Sequence, residues 1–187
     1  MFDLLCSEDG QGLATGGKGK SLNLFALAEE GILVPESRKS ARLGGRIWGI
    51  AFKPTIPDDD DEAKCAMAVA SGDYKTLLFD KNTLEPALQV IRTRTVRCID
   101  YHPFRSWISV GDGAGYVAIV DYSEEETITE FDVTGRVNVL KFSPKGDYLL
   151  VGTDNCVFTL HETKVSQLSN TNRDAALHSH RWNRISK

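Results

Sequence analysis

An all-β chain assembled from about four repeated units is the fold class this sequence predicts. Three observations predict it. A strand–turn–strand stretch recurs along the 187 residues, with a period of roughly 40–45 residues. Inside each copy apolar residues alternate with period two, the period of a strand rather than a helix. Gly- and Pro-bearing turns separate the alternating runs. Each copy reads as four short antiparallel strands. One such sheet cannot bury both of its faces, so the units must stack side by side as the blades of a propeller.

The clearest copy is "RVNVLKFSPKGDYLLVGTD", Arg136 to Asp154. Residues 95–112 repeat it as "TVRCIDYHPFRSWISVGD". Residues 46–54 repeat its first half as "RIWGIAFKP", and "CAMAVASGD" at 65–73 completes that copy after an acidic insertion. "FDLLCSEDGQGLATG" at 2–16 is a weaker first copy. The aromatics before the turn (Phe52, Tyr101 and Phe142) are 49 and 41 residues apart, and Cys6 takes their place 46 residues before Phe52. The glycines Gly72, Gly111 and Gly152 follow at spacings of 39 and 41, with Gly16 ahead of them.

Four strands, a to d, follow in the same order in each copy. In strand a of the second copy, alternation puts Trp48, Ile50 and Phe52 on one face and Ile47, Gly49 and Ala51 on the other. Strand b is "AMAVAS", "SWISVG" and "YLLVG"; strand c is "TLLFD", "YVAIVD" and "CVFTLH". Strand d, "PALQVIR" and "TITEFDV", is polar and expected outermost. The blades run over 2–43, 44–93, 94–134 and 135–168, giving a repeat segment of 1–168. The basic tail, 169–187, shows no strand pattern and is expected to be disordered.

The composition, 41% hydrophobic and 26% charged, is that of a soluble globular protein. A net charge of −4 gives no reason to expect a nucleic-acid or membrane partner. No apolar run is long enough to span a bilayer as a helix. "MFDLLCSEDG" lacks the basic start of a secretory signal. Cys6, Cys65, Cys98 and Cys156 show no C-x-x-C spacing and are expected as reduced thiols. The expected location is the cytoplasm, with the nucleus as the alternative.

These repeats resemble the WD-repeat β-propellers. The signs are "FSPKGDYLLVGTD", "SGDYKTLLFD" and "VGDGAGYVAIVD", and Phe79-Asp80 and Val120-Asp121 stand where that family often has Trp-Asp. Asp73, Asp112 and Asp154 fall in the b–c turn, where the family commonly places an aspartate. No Gly-His pair precedes any strand a and strand c holds no Trp, so the family's usual His–Ser/Thr–Asp–Trp network is incomplete here. The resemblance implies an incomplete propeller of WD-like blades, since WD-repeat propellers most often have seven. The leading expectation is a part of a longer propeller; closure by self-association comes second and a four-bladed monomer third.

Arginines mark the candidate functional face. In an up-and-down blade the d–a and b–c loops emerge on one face of the disc. Arg46 and Arg136 occupy the same place just before strand a, and Arg92, Arg94 and Arg97 surround the equivalent Thr95. Arginine suits bidentate capture of carboxylate or phosphate, so this face is the candidate dock for an acidic or phosphorylated peptide. The competing reading is a set of solvated loop arginines. The acidic run Asp58 to Glu62, in the a–b loop of the second blade, lacks the glycine and spacing of a calcium loop and reads as a solvated loop. "GGKGKS", Gly16 to Ser21, is not a phosphate-binding loop and reads as a b–c turn with positive-φ positions. His102, His161, His178 and His180 do not make a metal site, and no catalytic motif is present; neither a cofactor nor a metal is expected.

The function read from the sequence is a non-catalytic interaction scaffold in a multiprotein complex, the role the WD-repeat resemblance implies. "RIWGIAFKP", "VRCIDYHP" and "VNVLKFSPKGDYLLVGTDNCV" also look like the propellers of echinoderm microtubule-associated-protein-like proteins, which makes a microtubule-associated protein the alternative. A propeller-type enzyme is the rival from another class.

Overall fold

The structure is a computed structural model. It describes residues 3–7, 9–28, 31–55, 65–91, 94–155 and 158–163, and the backbone of residues 181–184. Among them every regular element is a strand, and all pairings are antiparallel.

Four sheets follow one another along the chain. The first is β1 (Asp3–Cys6), β2 (Gly12–Gly16), β3 (Ser21–Leu27) and β4 (Leu33–Arg42), paired in that order. The second is β5 (Ile47–Phe52), β6 (Met67–Ser71), β7 (Lys75–Phe79) and β8 (Pro86–Ile91). The third is β9 (Val96–Tyr101), β10 (Trp107–Asp112), β11 (Tyr116–Asp121) and β12 (Glu126–Asp132). The fourth has β13 (Val137–Phe142), β14 (Tyr148–Thr153) and β15 (Phe158–Glu162). A last strand, β16 (Arg181–Arg184), pairs with β8 and makes the second sheet five-stranded. The sequence of that stretch has no strand pattern, and β8, expected to be polar and outermost, is neither: Leu88 and Val90 are buried and β16 lies outside it. The pairing is a backbone ladder, and every sequence carries the backbone groups for one.

The inner strands β1, β5, β9 and β13 pack in succession, and the sheets do not close. Three cores lie between them, one per junction. Ala14 and Leu22 of the first sheet meet Ile47, Ile50, Met67 and Val69 of the second. Ala68, Ala70 and Leu78 on the other face of the second meet Val96, Ile99, Ile108 and Val110 of the third. Cys98, Trp107, Val117 and Ile119 of the third meet Val137, Leu140, Leu149 and Val151 of the fourth. Each sheet thus has a backward face, packed on its predecessor, and a forward face, packed on its successor. Burial between layers supplies the drive for stacking.

Polar staples cross the same junctions. Asp3 Oδ2 accepts from the Ile50 amide at 2.7 Å. Asp100 is buried, and its Oδ2 accepts from the Phe142 amide at 2.8 Å while Oδ1 accepts from Lys141 Nζ at 2.5 Å. Tyr101 donates its hydroxyl to the Cys65 carbonyl. The recurrent glycines serve these junctions too. By register Gly16, Gly111 and Gly152 are equivalent, each opposite a strand-a residue (Asp3, Cys98 and Val139). A Cβ on Gly111 would lie 2.7 Å from Val137 Cγ1 and 2.8 Å from Cys98 Sγ. The second sheet reverses the sizes: glycine is on strand a, Gly49, and its partner is Ala70. Gly72 lies two residues beyond that position, so it is not their equivalent.

Candidate functional site

Strand a does not alternate cleanly, and the departure builds the site. The register of β5 on β6 jumps between Ile47 and Gly49; that of β13 on β14 jumps between Val137 and Val139. On β9, Val96 pairs with Asp112 and Cys98 with Gly111, passing over Arg97. One residue is extra in each case: Trp48, Arg97 and Asn138. A bulge bends the strand and re-aims the extra side chain. Ile47, Val96 and Val137 accordingly turn backward into the cores, so Ile47 and Ile50 share one side, against the alternation read from the sequence.

The three bulged side chains form a row across three sheets. The Arg97 guanidinium lies over the Trp48 ring, 4.6 Å from its centroid, a cation–π geometry. Arg97 Nη2 donates to Asn138 Oδ1 at 3.3 Å. Arg97 Nε is buried with no hydrogen-bond partner among the described residues. Gly72 lies under Trp48: a Cβ there would be 3.2 Å from the indole Nε1.

The arginines stand around this row. The Gly72 amide donates to the Arg46 carbonyl at 2.7 Å, Gly113 to Thr95 at 3.0 Å, and Asp154 to Arg136 at 3.0 Å. Arg46, Thr95 and Arg136 are thereby equivalent, and each d–a end is tied to the b–c turn of its own sheet. Arg136 is committed locally: its amide donates to Asp154 Oδ1 at 2.8 Å and its Nε lies 3.5 Å from Asp154 Oδ2. Arg46 and Arg94 are exposed and make no side-chain hydrogen bond or ion pair among the described residues. Arg92 lies outside the described residues.

The three turn aspartates sit at three successive registers. Asp112 ends β10, and its Oδ1 caps the turn by accepting from the Ala114 amide at 2.7 Å and the Tyr116 amide at 3.0 Å. Asp154 is one position later, and Asp73 one later again, against Gly44 and Gly45. Asp80 and Asp121, at the Trp-Asp place, do turn work. Asp80 Oδ1 accepts from the amides of Asn82 and Thr83 at 2.7 and 3.0 Å; Asp121 Oδ1 accepts from Ser123 at 2.9 Å. Asp121 Oδ2 also takes the Trp107 indole N–H at 3.0 Å, a local link in a chain without the full network.

The "GGKGKS" turn spans Gly17 to Lys20, and the positive φ falls on Lys20 (63°), not on a glycine. A concavity of about 460 Å³ lies between the first two sheets on the opposite face; Phe52, Leu24 and Lys53 are among its lining residues. The acidic run Asp58 to Glu62, His178, His180 and Cys156 lie outside the described residues. Among the described residues no group of three His, Cys, Asp or Glu is placed to hold a metal ion. Cys98 is buried, which pushes its thiol up to about 12.

The WD domain, G-beta repeat, family model matches residues 126–160. That stretch runs from β12 through the inner hairpin of the fourth sheet into β15. One repeat of the chain, residues 126–160, is thus similar to a WD repeat. A matched repeat inside a series of antiparallel sheets of three to five strands is consistent with WD-type blades, and WD repeats serve in general as protein-interaction domains, typically without catalysis. No curated protein matches the chain. Sequence reasoning found the arginines but missed Trp48 and Asn138, although both stand where Arg97 stands in its own repeat.

Proposed function

We propose that this chain is a non-catalytic scaffold of a cytoplasmic multiprotein complex, and that it docks an acidic or phosphorylated peptide across the bulge row. The observation that supports the reading is Arg97 itself. Its guanidinium is held between the Trp48 ring and Asn138 Oδ1. A positioned guanidinium loses little rotamer freedom on binding, and its planar donor edge matches a carboxylate or phosphate. Exposed Arg46 and Arg94 on neighbouring loops add charge that steers an anionic segment toward it.

The test is a titration of a fluorescein-labelled acidic phosphopeptide onto the protein and onto Arg46→Glu/Arg94→Glu. The proposal expects weak capture by the parent that fades with salt and is lost in the variant. Capture undiminished by charge reversal contradicts it.

A further inference from the structure

The three junctions obey one rule: the forward face of a sheet takes the backward face of the next. Among the described residues two faces have no neighbouring sheet, the forward face of the fourth and the backward face of the first. They have the composition of junction faces, not of solvated ones.

On the fourth sheet, Val139, Tyr148, Leu150, Phe158 and Leu160 point forward by register. They are 40%, 38%, 39%, 68% and 62% exposed. In the third sheet the same positions are Cys98, Trp107, Ser109, Val117 and Ile119, all buried against the fourth. A contiguous apolar face of this kind on a protein surface marks an interaction site.

On the first sheet, Leu4, Cys6, Leu13 and Phe25 point backward by register. Leu4 is 49% exposed, Cys6 is exposed, and Leu13 and Phe25 are half-buried. Leu4, Leu13 and Phe25 stand where the second sheet has Ile50, Met67 and Phe79, and where the third has Ile99, Ile108 and Val120. All six of those are buried in the junctions. The free backward face thus offers the side chains, at the positions, that a forward face accepts three times over in this molecule.

We propose that the occupant of each free face is a second copy of this chain. The fourth sheet of each copy packs on the first sheet of the other, head to tail. Two such contacts close a two-fold ring of eight sheets, within the size range of closed propellers. The continuity of the junction rule carries the choice of partner: both halves of the missing junction are present on one chain. The contact uses sheet faces and not the arginine rim, so it stands apart from peptide docking.

The experiment is light scattering on the 187-residue chain across concentrations from about 1 to 100 μM. The expected mass at the upper end is twice 20.6 kDa. Two variants then read the polarity of the contact. Phe158→Asp/Leu160→Asp spoils the forward face and Leu4→Asp the backward one; each variant alone is expected at 20.6 kDa. Their equimolar mixture restores the doubled mass, because one forward and one backward face remain intact in it. All substituted side chains are substantially exposed, and a circular dichroism spectrum matching the parent confirms that each variant folds. As a readout that needs no variant, alkylation of Cys6, located by peptide mapping, slows as concentration rises.

A parent that stays at 20.6 kDa throughout overturns the proposal and assigns the faces to another partner, such as further sheets of a longer chain. A doubled mass that survives either variant, or that the mixture does not restore, also overturns it, since the contact would then not be head to tail.

Discussion

The guanidinium of Arg97 lies 4.6 Å from the centroid of the Trp48 ring, and both residues are the extra residue of a β-bulge on neighbouring inner strands. The bulges are what bring them together. Without the inserted residue, the side chain before Gly49 or Cys98 would follow the strict in–out alternation of the pleat. The rim chemistry therefore rests on backbone register within each sheet, and the close approach of neighbouring sheets brings the bulged side chains into contact.

Gly111 controls one such approach. A Cβ there would press on Val137 Cγ1 of the next sheet at 2.7 Å and on Cys98 Sγ at 2.8 Å. Gly111→Ala is expected to cost about 1–3 kcal/mol through overpacking. Urea denaturation measures it; an unchanged midpoint would mean that the third and fourth sheets are not packed this tightly.

Asp100 staples the same junction from the other end. Burial holds its carboxyl above its ordinary value, opposed by the hydrogen bond from Lys141. Asp100→Ala strands the Phe142 amide and is expected to lose about 1–3 kcal/mol. Asp100→Asn keeps an acceptor for that amide and should lose less. Equal losses in urea denaturation would show that the Phe142 bond contributes nothing.

His102 ties the third sheet to the fourth on the opposite face. Its Nδ1 accepts from the Phe104 amide at 3.0 Å, which leaves Nε2–H to donate to the Gly146 carbonyl at 3.2 Å. Burial holds its pKa below the ordinary 6.5; the Gly146 bond opposes this, Arg105 adds to the lowering and Asp147 works against it. As pH falls, the unfolded chain takes up the proton first. Stability from this group is therefore full above 6.5 and declines below it, down to the folded value. His161, also lowered by burial, adds a slope of the same sign. Denaturation midpoints at pH 7.5 and 5.5 should differ in the parent, and the difference should shrink in His102→Asn. A slope unchanged by that substitution would place the titration elsewhere.

The repeat and the order of strands within a sheet could be read from the chain. They are set by local signals: alternation, Gly- and Pro-bearing turns, and the recurrence of "FSPKGD"-like hairpins. The bulge row could not be read, because Trp48, Arg97 and Asn138 look like ordinary members of an alternating run until the partner strand is known. The aspartates show the same blindness. Asp73, Asp112 and Asp154 align by eye, yet the hydrogen bonds of Gly72, Gly113 and Asp154 to strand a place them at three different registers. β16 was hidden for a simpler reason: its pairing with β8 uses backbone groups that leave no pattern in side chains.

The most direct measurement of the docking face is fluorine NMR of the protein labelled with 5-fluorotryptophan and titrated with an acidic phosphopeptide. Trp48→Phe and Trp182→Phe assign two of the three tryptophan resonances and leave the third to Trp107. Trp48 lies under Arg97 at the rim, whereas Trp107 is buried in the junction beside His102. Docking across the bulge row predicts a saturable, salt-sensitive shift of the Trp48 resonance with Trp107 left in place. A Trp48 resonance that does not move at any peptide concentration, or moves no more than that of Trp107, would contradict it.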